Sequence, residues 1–112
     1  MSRSGRPPNQ DGPYDEVLLS FDRFEWNESK RDLNIERHGI DFRGAVRIFD
    51  GFVLRTRSDR KGEIRWLAIG MRNDEVISVV YTERSETCRI ISARRARRKE
   101  RAAYRELYAG GA

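Results

Sequence analysis

Residues 75–104 read EVISVVYTERSETCRIISARRARRKERAAY, and the way this stretch divides decides the fold. "VISVVY" (76–81) is apolar on both sides of an alternating strand, which places it at the centre of a sheet covered on both faces. Arg84-Ser85-Glu86 supplies a tight turn, and "TCRII" (87–91) returns as the neighbouring strand. Ser92 is then read as the cap of a closing helix. At about 100° per residue, Ala93, Ala96, Ala103, Tyr104 and Leu107 of that helix share one arc, while Arg94, Arg98, Arg101 and Arg105 gather opposite. Glu100 falls inside the apolar arc. An unpaired carboxylate there is costly, so an arginine partner from the sheet or an adjacent turn is expected.

Upstream, "IRWLAIGM" (64–71) reaches the central strand through Arg72-Asn73-Asp74, and "FVLRTR" (52–57) precedes it across the loop "SDRKG". Phe24 and Trp26 alternate as in a short strand. Asn27 caps a first helix with Glu28 in its first turn, and Gly39 after His38 stops it. A second helix starts from Asp41, with Phe42, Ala45, Val46 and Phe49 at i, i+3, i+4 and i+7, and ends at Asp50-Gly51. The elements make an α+β sandwich, two N-terminal helices and a C-terminal helix packed on a mainly antiparallel sheet. Residues 1–22 read as a flexible N-terminal extension, polar up to Asp15, with "VLLSF" (17–21) either an edge strand or an ordered run-in. Residues 23–112 form the domain.

The chain has 112 residues, which bounds it to one domain with a modest core. Its 23 Lys and Arg against 18 Asp and Glu leave a net charge of +5 and a pI of about 9.9. The excess is concentrated: Arg89, Arg94, Arg95, Arg97, Arg98, Lys99 and Arg101 face only Glu100 in their stretch. Charge of one sign so clustered implies a polyanionic partner. The single cysteine, Cys88, excludes an internal disulfide and reads as a small buried residue; no Cys/His spacing suggests zinc. The N-terminus lacks the apolar run of a signal peptide, and no stretch approaches the roughly 20 apolar residues of a membrane span, so a cytoplasmic protein with no membrane partner is expected.

The candidate chemistry is narrow. Lys30, Asn34 and His38 fall at i, i+4 and i+8 on the first helix and line either water or a site. His38 is the only histidine, so any imidazole chemistry falls to it, although a histidine before a helix-ending glycine also serves as a C-terminal cap. Lys30 reads equally as a solvated residue. Glu63 and Arg65 share a strand face and are able simply to pair, and "TER" (82–84) at a hairpin end is compatible with ordinary turn chemistry. There is no phosphate loop, dinucleotide turn or H-E-x-x-H, and no carboxylate cluster of the two-metal type. A kit of Arg, Lys, Glu and one His suits phosphodiester cleavage by acid–base catalysis with cationic stabilisation and no cofactor.

Several segments in order, "FEWN" (24–27), the Lys30 and Asn34 before His38-Gly39, "FRGAVRIF" (42–49), "GEIR" (62–65), and "TER" (82–84) leading to "RIISAR" (89–94), resemble the BrnT family of ribonuclease toxins from bacterial toxin–antitoxin modules. Ala96, Glu100 and Tyr104 continue the likeness, which covers about residues 24–104. The resemblance implies a RelE-like fold, RNA cleavage that halts growth by reducing translation, and a BrnA-like ribbon–helix–helix antitoxin through which the complex binds operator DNA. It carries Lys30, His38, Glu63, Arg65, Thr82, Glu83, Arg84, Arg89 and Arg94 forward as functional positions. Lys30, His38 and Glu83 then stand as acid–base groups, with Glu63, Arg65 and Arg84 in the same catalytic set and Arg89, Arg94, Arg98 and Arg101 binding RNA. The chain departs from the family pattern in the loop before G-E-x-R, where a histidine is usual and Arg60 or Lys61 would stand in as a cation only. The rival expectation is a non-catalytic nucleic-acid-binding module that uses the arginine face alone.

Overall fold

The structure is a computed structural model and describes residues 14–111. In chain order its elements are β1 (Asp15–Val17), β2 (Arg23–Trp26), α1 (Glu28–His38), α2 (Phe42–Ala45) running on as a 3-10 helix (Val46–Asp50), β3 (Val53–Arg57), β4 (Trp66–Arg72), β5 (Glu75–Arg84), β6 (Thr87–Arg95) and α3 (Arg98–Gly111). The strands form one sheet in the order β1-β3-β4-β5-β6-β2, antiparallel except that β2 lies parallel to β6. As its apolar run requires, β5 is interior, between β4 and β6. Asn73 and Asp74 both take positive φ (49° and 67°), the turn geometry that suits the twist of the β4–β5 hairpin.

Each face of the sheet carries its own core. On one, Ile40, Phe42, Ala45, Ile48 and Phe49 cover Val53, Ala68, Ile77, Val79, Tyr81, Cys88, Ile90 and Ala93, with Phe24 and Trp26 against them. Gly70 lets the 3-10 helix approach closely, since a Cβ there would come within 2.6 Å of Ile48 Cβ. On the other face, Ala96, Tyr104, Ala103 and Leu107 pack over Leu54, Ile69 and Val76. The helix α3 covers only the Val76 end of its face. Among the described residues no helix covers the Thr82 end.

The helix α1 is held differently. Asn27 caps its N-terminus and Gly39, at φ 69°, ends it, but its Leu33 and Ile35 are exposed and Asn34 is its one buried residue. The Asn34 side chain donates to the Ala93 and Ile40 carbonyls and accepts from the Ala93 N–H. The amide therefore replaces the strand that would otherwise lie beside β6 there. The Arg31 guanidinium clasps Asp41, the cap of α2, at 2.8 and 2.9 Å, and that pairing holds the Asp41 carboxyl down at about 2.

Two expectations require correction. Ser92 does not cap a helix: β6 continues through Ser92, Ala93 and Arg94 to Arg95, because β5 is long enough to pair with it as far as Ile77↔Arg95 and Asn34 satisfies its outer edge. The helix begins at Arg98, where Glu100 reaches back to the Arg97 N–H as the glutamate of a capping box does. Arg94 therefore leaves the helical arginine face. Secondly, Asp15–Val17 pairs with β3 as β1, and the Phe21 ring meets Phe24, Phe49 and Tyr81 at 5.4–5.9 Å, so the extension joins the sheet at β1 and packs Val17, Leu19 and Phe21 against its core. Residues 1–13 of the expected extension lie outside the described residues.

Candidate functional site

The open part of the α3-bearing face is organised by a bulge. Val80 pairs with Ser92 and Tyr81 with Ile90, leaving Ile91 as the extra residue. Arg89 and Arg94 are five apart, and strict alternation would put them on opposite faces. The bulge resets the alternation, so Ile90 and Ala93 both enter the first core while Arg89 and Arg94 share the α3 face.

At the centre of that open part is Thr82. It is 4 % exposed, and its hydroxyl is buried without a hydrogen-bond partner among the described residues. Arg89 lies directly across from it on β6. On the other side, the β4–β5 pairing ends at Trp66↔Tyr81, and Arg65, whose carbonyl accepts from the Ser58 N–H, is the residue just before Trp66, as Thr82 is the one just after Tyr81. Arg84 follows two residues along β5, exposed at the hairpin end. Each flanking arginine has a carboxylate: Arg65 Nε meets Glu63 Oε1 at 2.7 Å, and Arg89 Nη1 meets Glu25 Oε2 at 3.0 Å. Glu63 and Arg65 do pair, from the loop end rather than from a strand.

Arg94 borders this area, but both of its terminal nitrogens are engaged. It donates to both oxygens of Glu100 at 2.8 and 3.0 Å and to the Arg95 carbonyl. Glu100 also accepts from Ser78 and the Arg97 N–H. Burial alone would raise the Glu100 carboxyl; the hydrogen bonds from Arg94, Arg97 and Ser78 outweigh it and bring the group down to about 2. The expected arginine partner of Glu100 thus comes from the sheet, and Arg94 serves α3 before it serves any ligand. Arg98 is exposed on the first turn of α3, and Arg101 donates to the Ala96 carbonyl at 2.6 Å.

The remaining site candidates are Glu83, Lys30 and His38. Glu83 points to the opposite face, where it meets Arg55 at 3.0 Å; Arg55 also donates to the Tyr81 hydroxyl and lies 3.8 Å over the Trp66 ring. Burial pushes the Tyr81 phenol up to about 12 despite Arg55. Lys30 and His38 are exposed on α1, and among the described residues neither side chain is joined by a hydrogen bond or ion pair to the arginine cluster. The fold therefore brings Glu63, Arg65, Thr82, Arg84 and Arg89 to one face and turns Glu83 to the other, while Lys30 and His38 are exposed on α1. Sequence reasoning missed Glu25. Its signal was the outward position between the inward Phe24 and Trp26, legible only once β2 is known to run parallel beside β6.

Arginines beside an unpartnered buried hydroxyl on one sheet face make a chemistry suited to an anion of the phosphate class. A family model described as ribonuclease toxin, BrnT, of type II toxin–antitoxin system matches residues 26–100, and the chain belongs to that family. Membership makes it a toxin of the ribonuclease class, with RNA as substrate and an antitoxin as partner. No curated protein matches the sequence at a level that would count as a relative.

Proposed function

We propose that the open half of the α3-bearing face is the RNA-cleaving groove of a metal-independent endoribonuclease toxin. The observation that carries the reading is the hydroxyl of Thr82, buried and unpartnered, with Arg89 directly across from it and Arg65 next to the last β4–β5 pair on its other side. The two guanidiniums flank the non-bridging oxygens of a phosphodiester, where charge grows as the phosphorus becomes five-coordinate. Substrate binding uncovers the Thr82 hydroxyl, which then donates to one of those oxygens, and Arg84 holds the neighbouring phosphate. In the reaction the 2′-oxygen attacks the adjacent phosphorus, its proton passing to the Glu63 carboxylate. The bond from phosphorus to the 5′-oxygen breaks, and that oxygen takes a proton from solvent. The products are a 2′,3′-cyclic phosphate and a free 5′-hydroxyl.

The same reading assigns the chain a RelE-like place among toxins, acting in the cytoplasm to reduce translation and arrest growth. Its antitoxin is BrnA-like, with a ribbon–helix–helix part through which the complex binds operator DNA. Purified protein should cut single-stranded RNA in EDTA and leave DNA, which lacks the 2′-hydroxyl, intact. Activity that vanishes with chelator and returns with Mg²⁺ would overturn the metal-independent course. RNA bound but never cut would leave the binding-module reading in its place.

A further inference from the structure

We infer that Glu25 is a positioning residue of this groove, acting through Arg89; the inference rests on the ribonuclease reading above. Glu25 and Arg89 are 64 residues apart in sequence and are brought together by the parallel pairing of β2 with β6, in which they stand directly opposite. Arg89 in turn stands directly across from Thr82. The line Glu25–Arg89–Thr82 thus crosses three strands on the open face.

The pair is poorly suited to be a stabilising strut. Both side chains are about a third exposed, 34 % for Arg89 and 38 % for Glu25. Ion pairs at that exposure contribute about 0–1 kcal/mol. What the contact does is restrict a long side chain that otherwise samples many rotamers. Glu25 engages Arg89 through Nη1, and among the described residues Nη2 and Nε make no hydrogen bond, which leaves them to an anion beside Thr82. Arg65 is held in the same manner by Glu63 from the other side, through Nε. Two arginines, each tethered at one corner by its own carboxylate, are thereby pre-set on either side of one hydroxyl. Pre-setting of this kind lowers the cost of orienting catalytic groups when substrate arrives.

The test is a double-mutant cycle on full-length protein, reading cleavage of a mixed-sequence single-stranded RNA oligonucleotide together with thermal melts. Glu25→Ala should lower kcat by roughly 10- to 100-fold with its melting temperature essentially unchanged, and Glu25→Asp should recover part of the loss. In an Arg89→Lys background, Glu25→Ala should cost nothing further, because the group it positions is already gone. The pH profile of the residual activity should keep its shape, as Glu25 itself moves no proton. A wild type that cleaves while Glu25→Ala equals it would overturn this inference alone. So would a full additional loss in the Arg89→Lys background, which would make Glu25 an independent catalytic group. A fall in activity matched by a fall in melting temperature would reduce the pair to a strut. A wild type that leaves RNA intact would overturn the ribonuclease reading and this inference with it.

Discussion

Glu100 accepts four hydrogen bonds, one from Ser78, two from Arg94 and one from the Arg97 N–H, while only 7 % exposed. Its folded carboxyl titrates at about 2 against an ordinary 4.5. A depressed carboxylate contributes stability that is fully present above its ordinary value and lost as pH falls towards its folded one. The chain should therefore lose about 3 kcal/mol between roughly pH 4.5 and pH 2 from this group. Glu100→Gln should remove that part of the acid transition while lowering stability at neutral pH by about 3 kcal/mol, since Arg94 is left unpaired. Urea melts from pH 2 to 7 measure both; an unchanged acid transition in the variant would contradict the assignment. That Glu100 needs an arginine was legible from its place in an apolar arc. That the arginine is Arg94 was not, because the helix seemed to begin before it.

The boundary between β6 and α3 shows why elements resist reading from local signals. Ser92 followed by alternating alanine and arginine has the look of a capped amphipathic helix, and alanine favours one. Two long-range partners decide otherwise: β5 on one side and the Asn34 amide on the other. Asn34→Leu should expose the Ala93 N–H and carbonyl, costing at least about 2 kcal/mol, whereas Leu33→Ser, one residue away and 41 % exposed, should be nearly neutral. A bare edge also invites pairing between chains. Denaturant melts and light scattering at rising concentration therefore check one claim, and an Asn34→Leu variant with the stability and the scattering of wild type would refute it. The caps of α1, the Asn73-Asp74 turn and the interior place of β5 were legible because each is fixed by residues within a few positions. The parallel β2–β6 pair and the bulge at Ile91 were not, and with them went Glu25 and the shared face of Arg89 and Arg94.

For the whole molecule, the two faces of the sheet separate what the sequence had gathered into one list. The motif order made the family legible, and it is the fold that divides the candidates between one face, with Glu63, Arg65, Thr82, Arg84 and Arg89, and an opposite face with Glu83. With a net charge of +5, affinity for RNA should fall with salt by about 0.7 logarithmic units per phosphate contacted. Arg84→Gln and Arg98→Gln, both at exposed arginines, should each flatten that slope by about 0.7. Anisotropy with a 2′-O-methyl oligonucleotide, which binds but has no free 2′-hydroxyl to attack, measures it without cleavage. An unchanged slope would place the RNA elsewhere. The most direct measurement is the cleavage rate of single-stranded RNA in EDTA for wild type, Arg65→Ala and Glu83→Ala. The groove predicts that wild type cuts, that Arg65→Ala loses about 10²–10³-fold with its fold intact, and that Glu83→Ala stays within a few-fold of wild type. Full activity in Arg65→Ala, or collapse in Glu83→Ala without loss of stability, would put the site on the other face of the sheet.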